Sequence, residues 1–211
     1  MSRRAEPGAV CRALGLLLLT AALLLFLGNC REARRAARTA QGLNEQLLRQ
    51  IPAVSQAAEG PRTAAVQPDV QAAEPTLTVD GYDCIASLSI PALQLQLPVL
   101  AQLDEASLKL APCRYAGSLQ AGGLVIAAHN YTRHFGRLYC LRPGDAVQLT
   151  AADGSVYDYT VQSVQTLSPQ AVQQMTDSAY DLTLFTCTYS AAQRVTVRCS
   201  RADPAGDAPG I

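Results

Sequence analysis

The sequence predicts an all-β fold, a closed or nearly closed β-barrel with short helices, preceded by an N-terminal membrane helix and a stalk. Three observations carry that expectation. From about Tyr82, short apolar or alternating runs recur at 85–90, 93–100, 123–128, 146–151, 156–164, 182–188 and 194–199, with Pro, Gly and Asp between them. Many short strands punctuated by turn residues are the pattern of a barrel. Helical patterning in this region is confined to two short patches, 104–110 and 169–175. Ahead of it, no charged residue occurs from Ala13 to Cys30, and leucine dominates that stretch.

Spanning a bilayer takes about 20 apolar residues, with roughly 17 as the lower limit. The N-terminal run is long enough for a membrane helix, and it also suits a signal peptide. No small-x-small cleavage site follows; Arg31, Arg34, Arg35 and Arg38 come instead. A third reading takes Leu27-Gly28-Asn29-Cys30 as a lipid-attachment box, with Asn29 where a small residue is usual. The uncleaved anchor is the reading carried forward. Arg3, Arg4 and Arg12 precede the run and the other arginines follow it, so the positive-inside rule fixes no orientation.

Residues 31–50 are rich in Ala, Arg, Gln, Glu and Leu, all good helix formers. They are expected to continue as a helix standing off the membrane and to end near Ile51-Pro52, because a proline disfavours helix in the residue before it. Residues 53–76 carry Pro61, Pro68 and Pro75 with little apolar patterning, which is linker composition. The expected organisation is a cytoplasmic tip and anchor at 1–30, a helical stalk and flexible linker at 31–80, the barrel at 81–203, and a flexible tail at 204–211. Within the barrel, Gly144-Asp145 marks a turn and Asp153-Gly154 joins two alternating runs as a hairpin. Ser168 is placed to cap the helix at 169–175.

Lys and Arg number 17 and Asp and Glu number 17, and there is no tryptophan. That balance suggests no polyanion partner and no nucleic-acid surface, which would need a basic stripe with stacking aromatics. Seven cysteines leave at least one free thiol unless another chain supplies a partner. None shows Cys-x-x-Cys spacing, so neither a zinc nor a redox site is indicated. Cys84, Cys113, Cys140 and Cys199 are expected as small buried hydrophobes. Asp104 and Glu105 are too few for the 6–8 oxygen ligands calcium takes. No metal and no cofactor is expected.

Chemistry concentrates at three strand ends. Thr183-Leu184-Phe185-Thr186-Cys187 delivers a thiol, Arg194-Val195-Thr196-Val197 opens with a guanidinium, and Leu124-Val125-Ile126-Ala127-Ala128 runs into His129-Asn130. Thiol, imidazole and guanidinium are the parts needed for acyl transfer through a thioester. The attacking species is the thiolate, and an imidazole can give and take a proton near neutral pH. His129 leaves a buried strand directly, whereas His134 lies in a polar loop, as a loop residue or lining the site. Arg194 and Arg198 share side-chain parity, and Arg194 is preferred because it starts its strand just after the loop from Cys187. Arg198 is then a solvated or paired strand arginine. Thr186 is a supporting candidate, and Asn130 either orients the imidazole or caps its loop.

These residues, in the order His, Cys, Arg, resemble the sortase family of cell-wall cysteine transpeptidases. The likeness runs from about Ile85 to Arg201. Ser89-Ile90-Pro91 with Leu97-Pro98-Val99, Tyr115-Ala116-Gly117-Ser118, Val125 to Asn130, Phe135-Gly136-Arg137-Leu138 and Leu141-Arg142-Pro143-Gly144-Asp145 are similar to successive family motifs. Thr183 to Cys187 fits Thr-Leu-x-Thr-Cys, and Arg194 occupies the family arginine position. Ala128 departs from the usual glycine, and only Thr188 to Gln193 separate Cys187 from Arg194. The resemblance implies Cys187 as nucleophile, His129 as acid/base and Arg194 as oxyanion or substrate partner. It implies secreted substrates bearing a Leu-Pro-x-Thr-Gly-like sorting signal, an amine acceptor on a peptidoglycan precursor or a pilin, and a catalytic domain outside a Gram-positive cell. Two rivals stand beside it. A cysteine peptidase usually places cysteine before histidine in the chain, the reverse of the order here; a non-catalytic anchored β-domain would keep Cys187 inert.

Overall fold

Nine strands form one sheet that closes on itself, in a computed structural model that describes residues 7–58, 74–176 and 179–202. The strands are β1 (Leu77–Val79), β2 (Tyr82–Ile90), β3 (Leu95–Leu100), β4 (Cys113–Ser118), β5 (Gly122–Ala127), β6 (Ala146–Ala151), β7 (Val156–Leu167), β8 (Leu182–Cys187) and β9 (Arg194–Arg201). The order is β1-β2-β3-β4-β5-β8-β9-β7-β6, and β6 pairs back onto β2, so β2 through β9 make a closed eight-stranded barrel with β1 beside it. Closure leaves few unpaired edges, which suits strands this short.

The cause is visible in the residues. Alternate apolar side chains, among them Leu88, Ile90, Leu124, Ile126, Leu149, Val161, Leu184 and Val197, fill one buried interior cluster. Asp153-Gly154 turns β6 into β7 as expected, Gly154 taking φ 91. Two strands had no forecast. β1 joins β2 through Asp80 (φ 48) and Gly81 (φ 83), both left-handed as a type I′ hairpin needs. β4 is bent by register shifts at Ala116. It keeps Gly117 at φ 70, where an added Cβ would strike the Gly123 carbonyl.

The two forecast helical patches are shorter than expected. α2 (Glu105–Leu110) is capped by Asp104, whose carboxylate accepts from the Ala106 and Ser107 N–H groups. α3 (Val172–Met175) starts later than forecast and has no side-chain cap; the Ser168 hydroxyl bonds Gln170 instead.

The chain divides into two compact units, Met1–Arg35 and Ala36–Ile211, and one helix, α1 (Pro7–Ala58), contributes to both. Within the first unit its leucines are exposed. The segment Cys11–Ile51 contains a stretch of mean hydropathy 2.2, long and apolar enough to cross a membrane by length and composition. The helix does not stop at Ile51-Pro52 but continues to Ala58. A proline removes one helical hydrogen bond without forbidding the turns around it.

Within the second unit α1 packs against the strands. Ala40, Leu43, Leu47 and Ile51 pack with Val79, Cys84, Leu97, Leu100 and Cys113 in a second apolar cluster. Buried Asn44 accepts from the Ser87 hydroxyl at 2.8 Å. The tip at 1–6, most of the linker (59–73) and the tail lie outside the described residues. Where the chain is described again, the Glu74 carboxylate takes hydrogen bonds from Arg114 (2.8 Å) and the Leu119 N–H (2.6 Å).

Candidate active site

β5 and β8 are parallel neighbours, with Ala127 opposite Phe185, so both end at the same rim. The pairing extends one step further through the Ala128 N–H to the Phe185 carbonyl at 3.2 Å. His129 and Cys187 therefore leave the sheet side by side. β9 runs antiparallel to β8 and begins at that rim, placing Arg194 directly across from Cys187. Sheet register alone gathers the thiol, the imidazole and the guanidinium.

Two further predicted residues tie this rim together. The buried Thr186 hydroxyl donates to the Ala128 carbonyl at 2.8 Å, cross-linking the two strand ends. The Asn130 amide donates to the Thr188 carbonyl at 3.3 Å and joins the loop after β5 to the loop after β8. The segment after His129 folds into a tight turn. The Phe135 N–H returns to the His129 carbonyl, and the His134 and Gly136 N–H groups both reach the Tyr131 carbonyl. Gly136 permits that closure, since a Cβ there would collide with the Asn130 carbonyl.

His134 is not a solvated loop residue. It is 1 % exposed, with its ring 5.4 Å from that of Tyr131, which in turn lies 5.1 Å from His129. Burial, with a smaller contribution from His129, pushes its imidazole down to about 4, so it stays neutral at working pH. Neither of its ring nitrogens has a hydrogen-bond partner among the described residues, and neither does the buried Nε2 of His129. Such groups are rare in folded proteins and mark positions where packing outweighs bonding or where a ligand completes the set.

Arg194 leans on its own loop, Nη1 donating to the Ala191 and Gln193 carbonyls at 3.2 Å each. Its Nε and Nη2 donors make no hydrogen bond among the described residues. Arg198 is the opposite case. It is buried within the wall, where Nη1 donates to the Met175 carbonyl (3.0 Å) and the Thr183 hydroxyl (2.8 Å), Nη2 to the Gln174 carbonyl, and the guanidinium lies over Tyr180.

Beside Cys187 lies a cavity of about 300 Å³ walled by Phe135, Tyr139, Thr186, Tyr189 and Val195. Its character is apolar. Tyr139 and Tyr189 stand at its rim, 60 % and 81 % exposed. The other thiols of the barrel differ. Cys84, Cys113 and Cys199 are buried, which pushes them up to about 11, 12 and 12 and keeps them protonated. Cys140, expected in the core, is exposed, because the 3₁₀ turn Leu138–Cys140 buries Leu138 alone. Asp104 is engaged in capping α2 and Glu105 pairs with Lys109, and no cluster of metal-ligating side chains occurs among the described residues.

Comparisons with known proteins bear on the family and the fold. A family model for the sortase domain matches residues 88–202. Sortase A of Bacillus anthracis is 29 % identical over 127 residues, 57 % of this chain and 60 % of that protein. Among solved structures, a lid mutant of sortase A from Corynebacterium diphtheriae superposes with a TM-score of 0.52 at 23 % identity, covering 78 % of this chain and 96 % of that one. Sortase C1 from Streptococcus agalactiae gives 0.56 at 20 % identity, covering 80 % and 100 %. The fold is the sortase barrel, and the chain belongs to the sortase family, whose enzymes are cysteine transpeptidases.

Proposed function

We propose that this chain is a membrane-anchored cysteine transpeptidase acting on a Leu-Pro-x-Thr-Gly-like sorting signal of secreted proteins. The observation that carries the reading is the register of β5, β8 and β9, which sets His129, Cys187 and Arg194 on one rim beside an apolar groove. In the cycle, the Cys187 thiolate attacks the carbonyl carbon after threonine, and the C–N bond to glycine breaks as His129 protonates the departing amine. The unpaired Nε and Nη2 of Arg194 suit the developing oxyanion or a substrate carbonyl. An incoming amine then attacks the thioester, His129 takes its proton, and the thiolate is regenerated. The acceptor is an amine of a peptidoglycan precursor or a pilin lysine.

Thr186 and Asn130 act on this reading by holding the two strand ends and loops in register. Tyr131 and His134 form a packed stack behind the His129 ring. The apolar helix supplies a single-pass anchor with the barrel on the extracellular face, where such substrates are found.

The test is to incubate the full chain in detergent with a library of Leu-Pro-x-Thr-Gly-like peptides and an amine, reading products by mass. Joined product, lost in Cys187→Ala with unchanged melting, is the expected result. Hydrolysis alone would favour the peptidase, and unreacted peptide the non-catalytic β-domain.

A further inference from the structure

The segment 130–139 is a wall with two faces. On one, Asn130, Phe135, Gly136 and Tyr139 line the thiol groove. On the other, Thr132, Arg133 and Arg137 close a second cleft of about 280 Å³, whose far sides carry Gln41 of α1 and Gln94 and Gln96 around the start of β3. The chemistry of the two spaces differs sharply. The thiol groove is apolar; the second cleft is lined by two guanidinium groups and three side-chain amides, with no carboxylate among its ten residues.

Among the described residues no carboxylate pairs with its positive charge. Neither Arg133 nor Arg137 belongs to the ion pairs Lys109–Glu105 and Arg114–Glu74. Both arginines are exposed at the cleft. Two planar forks with three amides offer more donors and more charge than one carboxylate can use. A phosphoryl group, with three acceptor oxygens and a charge of roughly −1.5 to −2, matches them better.

We propose that this cleft binds a phosphoryl group and thereby seats the amine acceptor, one loop's thickness from Cys187. The acceptor assignment rests on the transpeptidase reading above; the binding of phosphoryl does not. Acceptor and sorting signal then occupy opposite faces of one loop, and the loop that carries His129 senses both.

Binding is measured by calorimetry on the full chain in neutral detergent at low salt, with inorganic pyrophosphate as the probe. Wild type binds, Arg133→Gln/Arg137→Gln binds at least tenfold more weakly, and Arg142→Gln, outside the cleft, binds as wild type does. No binding by wild type, or equal affinity in the double variant, overturns the site. Dodecyl phosphate in the same micelles separates sources: tighter binding than pyrophosphate assigns a lipid-borne phosphoryl, equal binding a soluble one. For the acceptor role, thioester partition is compared with 2-aminoethyl phosphate and with ethanolamine. Wild type should favour the phosphorylated amine, and the double variant should lose that preference. Equal use of both amines by wild type overturns the acceptor role. A chain that forms no thioester with any peptide defeats the transpeptidase reading and with it the acceptor role, while the calorimetry decides the cleft independently.

Discussion

Arg194 and Arg198 lie on the same face of β9, four residues and about 13 Å apart at ~3.3 Å per residue, and they live in different worlds. Arg194 stands at the rim, half-buried, with Nε and Nη2 making no hydrogen bond among the described residues. Arg198 sits in the wall, 2 % exposed, bonded to two carbonyls and a hydroxyl and stacked over Tyr180. The same contrast holds for thiols. Cys199 is sealed and held protonated, whereas Cys187 borders an open groove. The rim keeps Arg194 donors open for a ligand to complete; the wall holds both Nη atoms of Arg198 in bonds to the fold. Changes in the wall should therefore cost stability without chemistry, and changes at the rim chemistry without stability.

The largest effect expected is in the wall. Deleting residues 1–73 uncovers Val79, Leu97 and Leu100, which Leu43, Leu47 and Ile51 now cover. At roughly 1.5–3 kcal/mol for each buried aliphatic side chain, the loss is on the order of 5 kcal/mol. Chemical denaturation should show it, with a chain starting at Ala36 unaffected; equal stability of the two truncations would mean α1 contributes nothing to the wall. Next comes the rim. Arg194→Lys keeps the charge and loses the fork, so turnover should fall by about 10²–10³ with melting unchanged. A few-fold loss only would remove Arg194 from the site.

Arg198→Lys should do the reverse. A single ammonium cannot reproduce bonds to the Met175, Gln174 and Thr183 oxygens, and hydrogen bonds to charged groups contribute about 1.5–3 kcal/mol each. A loss of about 3 kcal/mol in stability is expected, with the activity of the folded fraction retained. An active-site defect in a fully stable Arg198→Lys protein would mean that the two arginines had been assigned to the wrong regions.

His134 sharpens the boundary, being a wall residue immediately behind the rim. Its pKa in the fold, about 4, lies below the ordinary 6.5, so the fold favours the neutral ring. The stability this contributes is present above pH 6.5 and is lost as pH falls toward 4. Between pH 7 and pH 5 that loss is about 2 kcal/mol. His134→Phe keeps an aromatic ring in the stack and cannot take a proton, so its stability should fall less over that range. Identical acid slopes for the two proteins would show that His134 is not buried as a neutral ring.

The rim was more legible in the sequence than the wall that supports it. Short strands ending in His129 and Cys187, and one beginning with Arg194, can be read directly because strand tips and hairpin turns leave local signals. Asp80-Gly81 is a hairpin signal of the same kind, but a three-residue β1 is too short to stand out from the linker composition before it. β4 lost its alternation to the kink at Gly117 and the shift at Ala116. The stripe Ala40, Leu43, Leu47 and Ile51 has helical spacing, yet the surrounding Ala, Arg and Gln made it look like a solvated stalk. The burial of His134 had no local signal, because Tyr-Thr-Arg-His is polar in sequence. What buries it is a turn closed by backbone bonds and by the missing side chain of Gly136.

The central claim, that Cys187 at this rim carries the acyl group, is tested most directly by trapping it. The full chain is incubated with a Leu-Pro-x-Thr-Gly-like peptide without amine, quenched in acid and mapped by mass. The account predicts the peptide acyl group, ending at threonine, on Cys187 as a hydroxylamine-labile thioester. An adduct on the exposed Cys140, or peptide consumed by wild type and by Cys187→Ala alike, would contradict it.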